Sequence, residues 1–101
     1  MEREVSWTGS AEGDLQNIYD FNSSIVGELK AFQMIEKIIL KTNLLSNEVL
    51  SGTRYISNLK PKINYQKLIV GNHLIIYRIE GNQILINRVF DARQDPSKLK
   101  L

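Results

Sequence analysis

The sequence predicts an α+β protein: an N-terminal strand, a two-helix antiparallel hairpin, then a three-stranded antiparallel meander, with the helices packed on one face of the sheet. Three observations predict it. Apolar residues recur at helical spacing between Ala11 and Leu45, and from Tyr65 to Phe90 the chain becomes rich in Ile, Val, Leu, Tyr and Phe. The dipeptides Gly71-Asn72 and Gly81-Asn82 then divide that second stretch where tight hairpins need positive backbone angles. A chain of 101 residues holds one such core and not two, so residues 1–101 are read as a single domain.

The first strand is read over residues 3–7, where Val5 and Trp7 alternate with polar neighbours and Trp7 is a core anchor. Thr8 and Ser10 are both N-cap types. Ala11, Leu15, Ile18, Asn22 and Ile25 follow at helical spacing, with Asp14 placed early for the helix dipole, so the first helix is expected over residues 10–22 and is expected to break at Ser23-Ser24. After Gly27, residues 28–45 carry Ala31, Phe32, Ile35, Ile38, Ile39 and Leu45 on one broad face, opposite Glu36, Lys37, Lys41 and Asn43. Residues 46–62, with Gly52 and Pro61, read as a loop. Three strands follow, Tyr65–Val70, His73–Ile79 and Gln83–Phe90, and the first strand joins this meander at one edge to give four strands. Pro96 ends the last strand, and residues 97–101 form a short tail.

The bulk numbers exclude several classes. Hydrophobic residues at 43% and charged residues at 24% match a globular chain and exclude disorder. Thirteen Lys and Arg against eleven Asp and Glu give a net charge of +2. That surplus is too small to argue for nucleic-acid contact, so the placement of the basic residues matters more. The chain has no cysteine and one histidine, which removes disulfides and thiolate metal sites, and no cofactor is expected. The charged start Met1-Glu2-Arg3-Glu4 is followed by no apolar run, and no stretch approaches the roughly 18 apolar residues of a membrane span, so a cytoplasmic protein is expected.

Two stretches carry a family resemblance. YQKLIVGNHLIIYRIEGNQILINRVF (65–90) and RVFDARQDPSKL (88–99), preceded by VSW (5–7) and a helix bearing Ala11, Asp14, Leu15 and Ile18, are similar to the meander, C-terminal signature and opening elements of RelE/ParE superfamily toxins. The resemblance covers nearly the whole chain. It implies a cytoplasmic bacterial toxin of a type II toxin-antitoxin, or plasmid stabilisation, system, wrapped and neutralised by a cognate antitoxin. A homodimer and a toxin-antitoxin heteromer both stay open. ParE-like members of the superfamily inhibit DNA gyrase, whereas RelE-like members cleave mRNA on the ribosome, and one scaffold serves both.

Metal-free RNA cleavage needs a base for the 2′-hydroxyl, an acid for the leaving oxygen and cations for the phosphate. Arg78, Arg88 and Arg93 are the candidates for such an active site, and Lys60, Lys62, Lys67 and Arg93 for binding nucleic acid or another target, with Arg54 as a further cation. The resemblance argues against cleavage. Ribonuclease members carry a run like Tyr-Arg-x-x-Tyr in the middle strand, and here the Arg position is Leu74. Their C-terminal His, Arg pair and Tyr fall on Asp91, on Ala92 with Arg93, and on Pro96, so only Arg93 keeps its type. The ParE-like reading therefore leads, with mRNA cleavage as the alternative. His73 is read as a partly exposed structural residue at a strand start, Tyr77 as core, and Arg88 and Arg93 as either contacts to a target or partners of Asp91 and Asp95.

Overall fold

The computed structural model describes residues 3–47, 52–57, 60, 62–93 and 99. The elements run β1 (Glu4–Trp7), α1 (Gly9–Val26), α2 (Glu28–Asn43), a 3₁₀ turn (Leu44–Asn47), β2 (Thr53–Tyr55), β3 (Tyr65–Val70), β4 (His73–Glu80) and β5 (Gln83–Asp91). They form one five-stranded sheet in the order β1-β5-β4-β3-β2. The meander β3-β4-β5 is antiparallel as expected, with Gly71 at φ 60° and Gly81 at φ 57° in its two turns. β1 lies parallel to β5 at the edge, Val5 beside Ile84 and Trp7 beside Ile86.

Two features differ from expectation, each for a local reason. Ser23 and Ser24 do not break α1, because their hydroxyls donate to the carbonyls of Asp20 and Phe21 and stay within the helix. The helix ends instead at Gly27, whose φ of 90° few side chains tolerate, and α2 begins at the next residue. The segment read as a loop contains β2, which pairs Thr53 with Lys67 and Tyr55 with Tyr65, so the sheet has five strands and not four. Pro96 and the tail lie outside the described residues, Leu99 excepted.

Both helices lie on one face of the sheet, α1 against β5 and α2 against β3. The core between them holds Ala11, Ile38, Leu45, Leu68, Val70, Ile75, Tyr77, Ile84, Ile86 and Val89, with Val5, Trp7, Leu15 and Ile18 packed beside it. The buried stripe of α2 is narrower than its composition suggests. Ala31, Ile38 and Thr42 are buried, while Phe32, Leu40 and Ile39 stay exposed. Thr42 tolerates burial because its hydroxyl donates to the Ile38 carbonyl. No helix among the described residues is long and apolar enough to cross a membrane.

Candidate functional site

β5 is longer than the β1 strand that covers its edge, and the way α1 finishes that edge creates the site. β1 reaches only to Ile86. Between Ile86 and Arg88 the register with β4 slips, leaving Asn87 unpaired in a β-bulge. The extra residue reverses the alternation of β5, so Val89 and Asp91, rather than Arg88 and Phe90, share the helix-side face with Ile75 and His73. α1 then supplies the missing edge partners. Thr8 gives its N–H to the Ile86 carbonyl and its hydroxyl to the Asn87 carbonyl, while also capping the helix by accepting from the Ala11 N–H.

Asp14 completes the edge. Its Oδ2 accepts the Val89 N–H at 2.9 Å, and both its oxygens accept from Arg88, at 2.8 Å from Nε and 2.9 Å from Nη2. Arg88 itself belongs to the outer face, in register with Ile76. Its guanidinium thus reaches round the sheet edge to a helix on the other side. The Asp14 carboxylate raises the Arg88 pKa through these hydrogen bonds, against a smaller effect of burial. Asp14 is the sixth residue of α1, past the first turn, so its work is at the strand edge and not at the helix dipole. Sequence reasoning missed this role. The available signal was an acidic residue in phase with Ala11 and Ile18 on the core-facing stripe, where a carboxylate needs a partner.

Where α1 crosses the end of β5 there is a cleft of about 320 Å³, lined by Asp14, Ile18 and Phe21 of α1, His73 of β4, and residues 88–91 of β5. His73 sits in its wall and is 4% exposed, not partly exposed as expected. No hydrogen bond joins its side chain to another described residue. Burial lowers its pKa, the Asp91 carboxylate opposes this, and Arg93 adds to it. Asp91 is held by Arg93, whose Nε and Nη2 donate to its two oxygens at 3.0 and 2.8 Å and whose backbone N–H donates at 2.9 Å. These hydrogen bonds hold the Asp91 carboxyl below its usual range.

The sign of the His73 shift gives a test. The folded chain resists a proton that the unfolded chain accepts near the ordinary value of 6.5, so stability is full above that pH and falls as pH drops through it. Urea unfolding between about pH 7.5 and 5 is expected to show this loss, and His73→Gln, which cannot titrate, is expected to flatten it. An unchanged slope in the variant would mean that other groups cause the loss.

The other sequence-predicted residues do not converge. Lys67, Arg78 and Arg88 share the outer face, with Lys67 and Arg88 flanking the fully buried Ile76 in register. Arg78 lies farther along β4, its Nε 2.7 Å from Glu80 Oε1 in an ion pair whose angle makes no hydrogen bond. Lys60 and Lys62 are exposed ahead of β3, and Arg54 is exposed on β2. Only Arg88 and Arg93 of the candidates belong to the cleft region, and both are occupied by carboxylates. Of the pairings anticipated for them, Arg93–Asp91 is formed, Arg88 pairs with Asp14, and Asp95 lies outside the described residues. Tyr77 is core, as read, and its hydroxyl accepts the Gly52 N–H and donates to Gln66.

A helix hairpin on one face of a five-stranded sheet, with a cleft of paired charges where α1 crosses β5, defines a small α+β protein of the hairpin-on-sheet class. Within that class the chain belongs to the ParE toxin family: the model of the ParE toxin of the type II toxin-antitoxin system parDE matches residues 5–96. The fold is similar to that of a solved structure described as the chromosomal ParDE toxin-antitoxin system from P. aeruginosa, with a TM-score of 0.73 and 24% identity over 91% of this chain and 98% of that one. No curated protein sequence matches the chain.

Proposed function

We propose that this ParE-family toxin arrests growth by binding DNA gyrase, without itself catalysing a reaction, and that a cognate antitoxin neutralises it. The observation that carries the reading is the state of the two cleft arginines. Phosphate clamping in RNA cleavage needs cations whose charge is available as the transition state develops. Here the Arg88 and Arg93 guanidiniums each bind a carboxylate through two hydrogen bonds, and the one histidine is buried without a described partner to pass it a proton. Such groups serve architecture better than proton transfer. Lys60 and Lys62, exposed ahead of β3, are the surface cations proposed to meet the target, with Arg93 doing so only by leaving Asp91.

The antitoxin reading draws support from the helix hairpin, where Phe21, Ile25, Leu29, Phe32 and Leu40 leave apolar surface that a protein partner would cover. The protein is proposed to work as one domain in the cytoplasm.

The test is induction without antitoxin in a bacterial host, with labelled thymidine and labelled amino acids followed in one culture. DNA synthesis is expected to fall first, and purified toxin is expected to inhibit gyrase supercoiling. An early fall in protein synthesis with intact supercoiling would overturn the reading in favour of ribosome-dependent mRNA cleavage.

A further inference from the structure

We propose that the closed end of the helix hairpin is a self-association surface, on which a second copy of this chain seats against Phe21, Ile25, Val26, Leu29 and Phe32. The first observation is where that end stands. The core takes Ala11 from α1 and Ile38 from α2, with Leu15 and Ile18 packed beside it, all well away from the turn between the helices. Around that turn every residue from 24 to 30 is exposed. The last turns of α1 and the first turn of α2 therefore stand clear of the core. The second observation is what they carry. Phe21 and Ile25 lie one turn apart on α1, Leu29 and Phe32 one turn apart on α2, and Val26 sits next to the connecting Gly27. Their exposures run from 44 to 71%. A helix face turned only to solvent is ordinarily polar, and this one is not.

Size and charge point to a second copy as the occupant. At roughly 200 Å² for a residue of this bulk, those exposures leave on the order of 600 Å² open. With its polar rim the patch approaches the ~800 Å² per partner of a standard interface. The exposed charges at this end are Asp20 and Glu28 against Lys30, so the rim carries both signs, with no large surplus that would call for a strongly acidic or strongly basic partner. A twofold contact sets one patch against itself, and this patch suits that: apolar centre meets apolar centre, with cations and carboxylates present on both rims. Two hairpins joined in this way form a four-helix arrangement, which buries helices that are apolar on more than one side. The inference concerns the chain by itself and goes beyond the antitoxin reading, which gives part of the same surface to a different protein.

The test is sedimentation equilibrium of the purified full chain without antitoxin. The average mass is expected to rise from 11.6 kDa toward twice that value with concentration, with a dissociation constant on the order of 10 µM, as suits an interface at the small end of the specific range. Ile25→Glu sets like charges into the apolar centre and is expected to weaken association by about tenfold or more. Ile69→Glu is the control. Ile69 is equally exposed, at 63%, but lies on the outer face of the sheet, two residues along β3 from Lys67, so this variant is expected to associate like the parent. Circular dichroism and urea unfolding check that both variants keep the fold. A chain that stays monomeric up to about 200 µM would overturn the proposal and leave the surface to the antitoxin. Unchanged association of Ile25→Glu, or an equal loss in Ile69→Glu, would overturn it too, because the contact would then lie elsewhere.

Discussion

Asp14→Ala is expected to cost about 2–3 kcal/mol, which in a domain of this size lowers the thermal midpoint by roughly 10–20 °C. The change removes three accepted hydrogen bonds at once. The most expensive consequence is the Val89 N–H, which loses its acceptor on a residue that is itself 4% exposed. The stranded Arg88 adds less. Its side chain is 29% exposed, so the guanidinium can rehydrate, and the ion-pair contribution must be discounted accordingly. Two companion variants separate the contributions. Asp14→Asn keeps an oxygen for Val89 and is expected to lose about half as much. Arg88→Met removes the cation but leaves the edge acceptor in place, and it is expected to be milder than Asp14→Ala. Thermal and urea unfolding of the purified proteins checks the order. If Arg88→Met proves as damaging as Asp14→Ala, the ion pair and not the strand edge holds α1 to the sheet.

Gly52→Ala is expected to be similarly severe, about 3 kcal/mol, for steric reasons. A Cβ at this position would overlap the Lys67 carbonyl oxygen of β3 and stand 2.6 Å from the Tyr77 hydroxyl. Neither neighbour can yield cheaply. The first is backbone within the sheet, and the second is fixed by its bonds to the Gly52 N–H at 2.8 Å and to Gln66 at 3.2 Å. The glycine is therefore required by close approach and not by an unusual backbone angle. Tyr77→Phe, which removes the hydroxyl but keeps the packed ring, is expected to cost only about 1 kcal/mol. Should Gly52→Ala unfold at the wild-type denaturant concentration, β2 must be able to move away from β3 without loss, and the close contact carries little weight.

These two sites also show where sequence legibility stopped. The helix pair and the meander were readable because each rests on a local regularity: spacing of Ala11, Leu15 and Ile18 in one case, and Gly-Asn turns between β-rich runs in the other. β2 was not, since Thr53-Arg54-Tyr55 is too short for any period and becomes a strand only because β3 has a free edge. The end of α1 was misjudged because two serines that commonly start turns can instead bond back to their own helix.

For the site, the residues of the C-terminal strand were legible and their partners were not. Arg88 and Arg93 stood out as cations, but nothing in a linear reading connects Arg88 with Asp14, and no periodicity announces the bulge at Asn87 that turns Asp91 toward His73. Burial of His73 likewise follows from where α1 passes, which is a tertiary fact.

The parallel pairing of β1 with β5 has a consequence for biosynthesis. The chain's first strand finds its place only beside its last, because Val5 and Trp7 pair with Ile84 and Ile86. Helices α1 and α2 are local and can form as soon as they leave the ribosome, whereas the sheet edge they complete must wait until β5 has been made. A nascent chain stalled before residue 83 would hold its hairpin but have no β5, no bulge and no cleft. The surfaces that make this a finished ParE-fold domain thus come into being together and late, once β5 has been made.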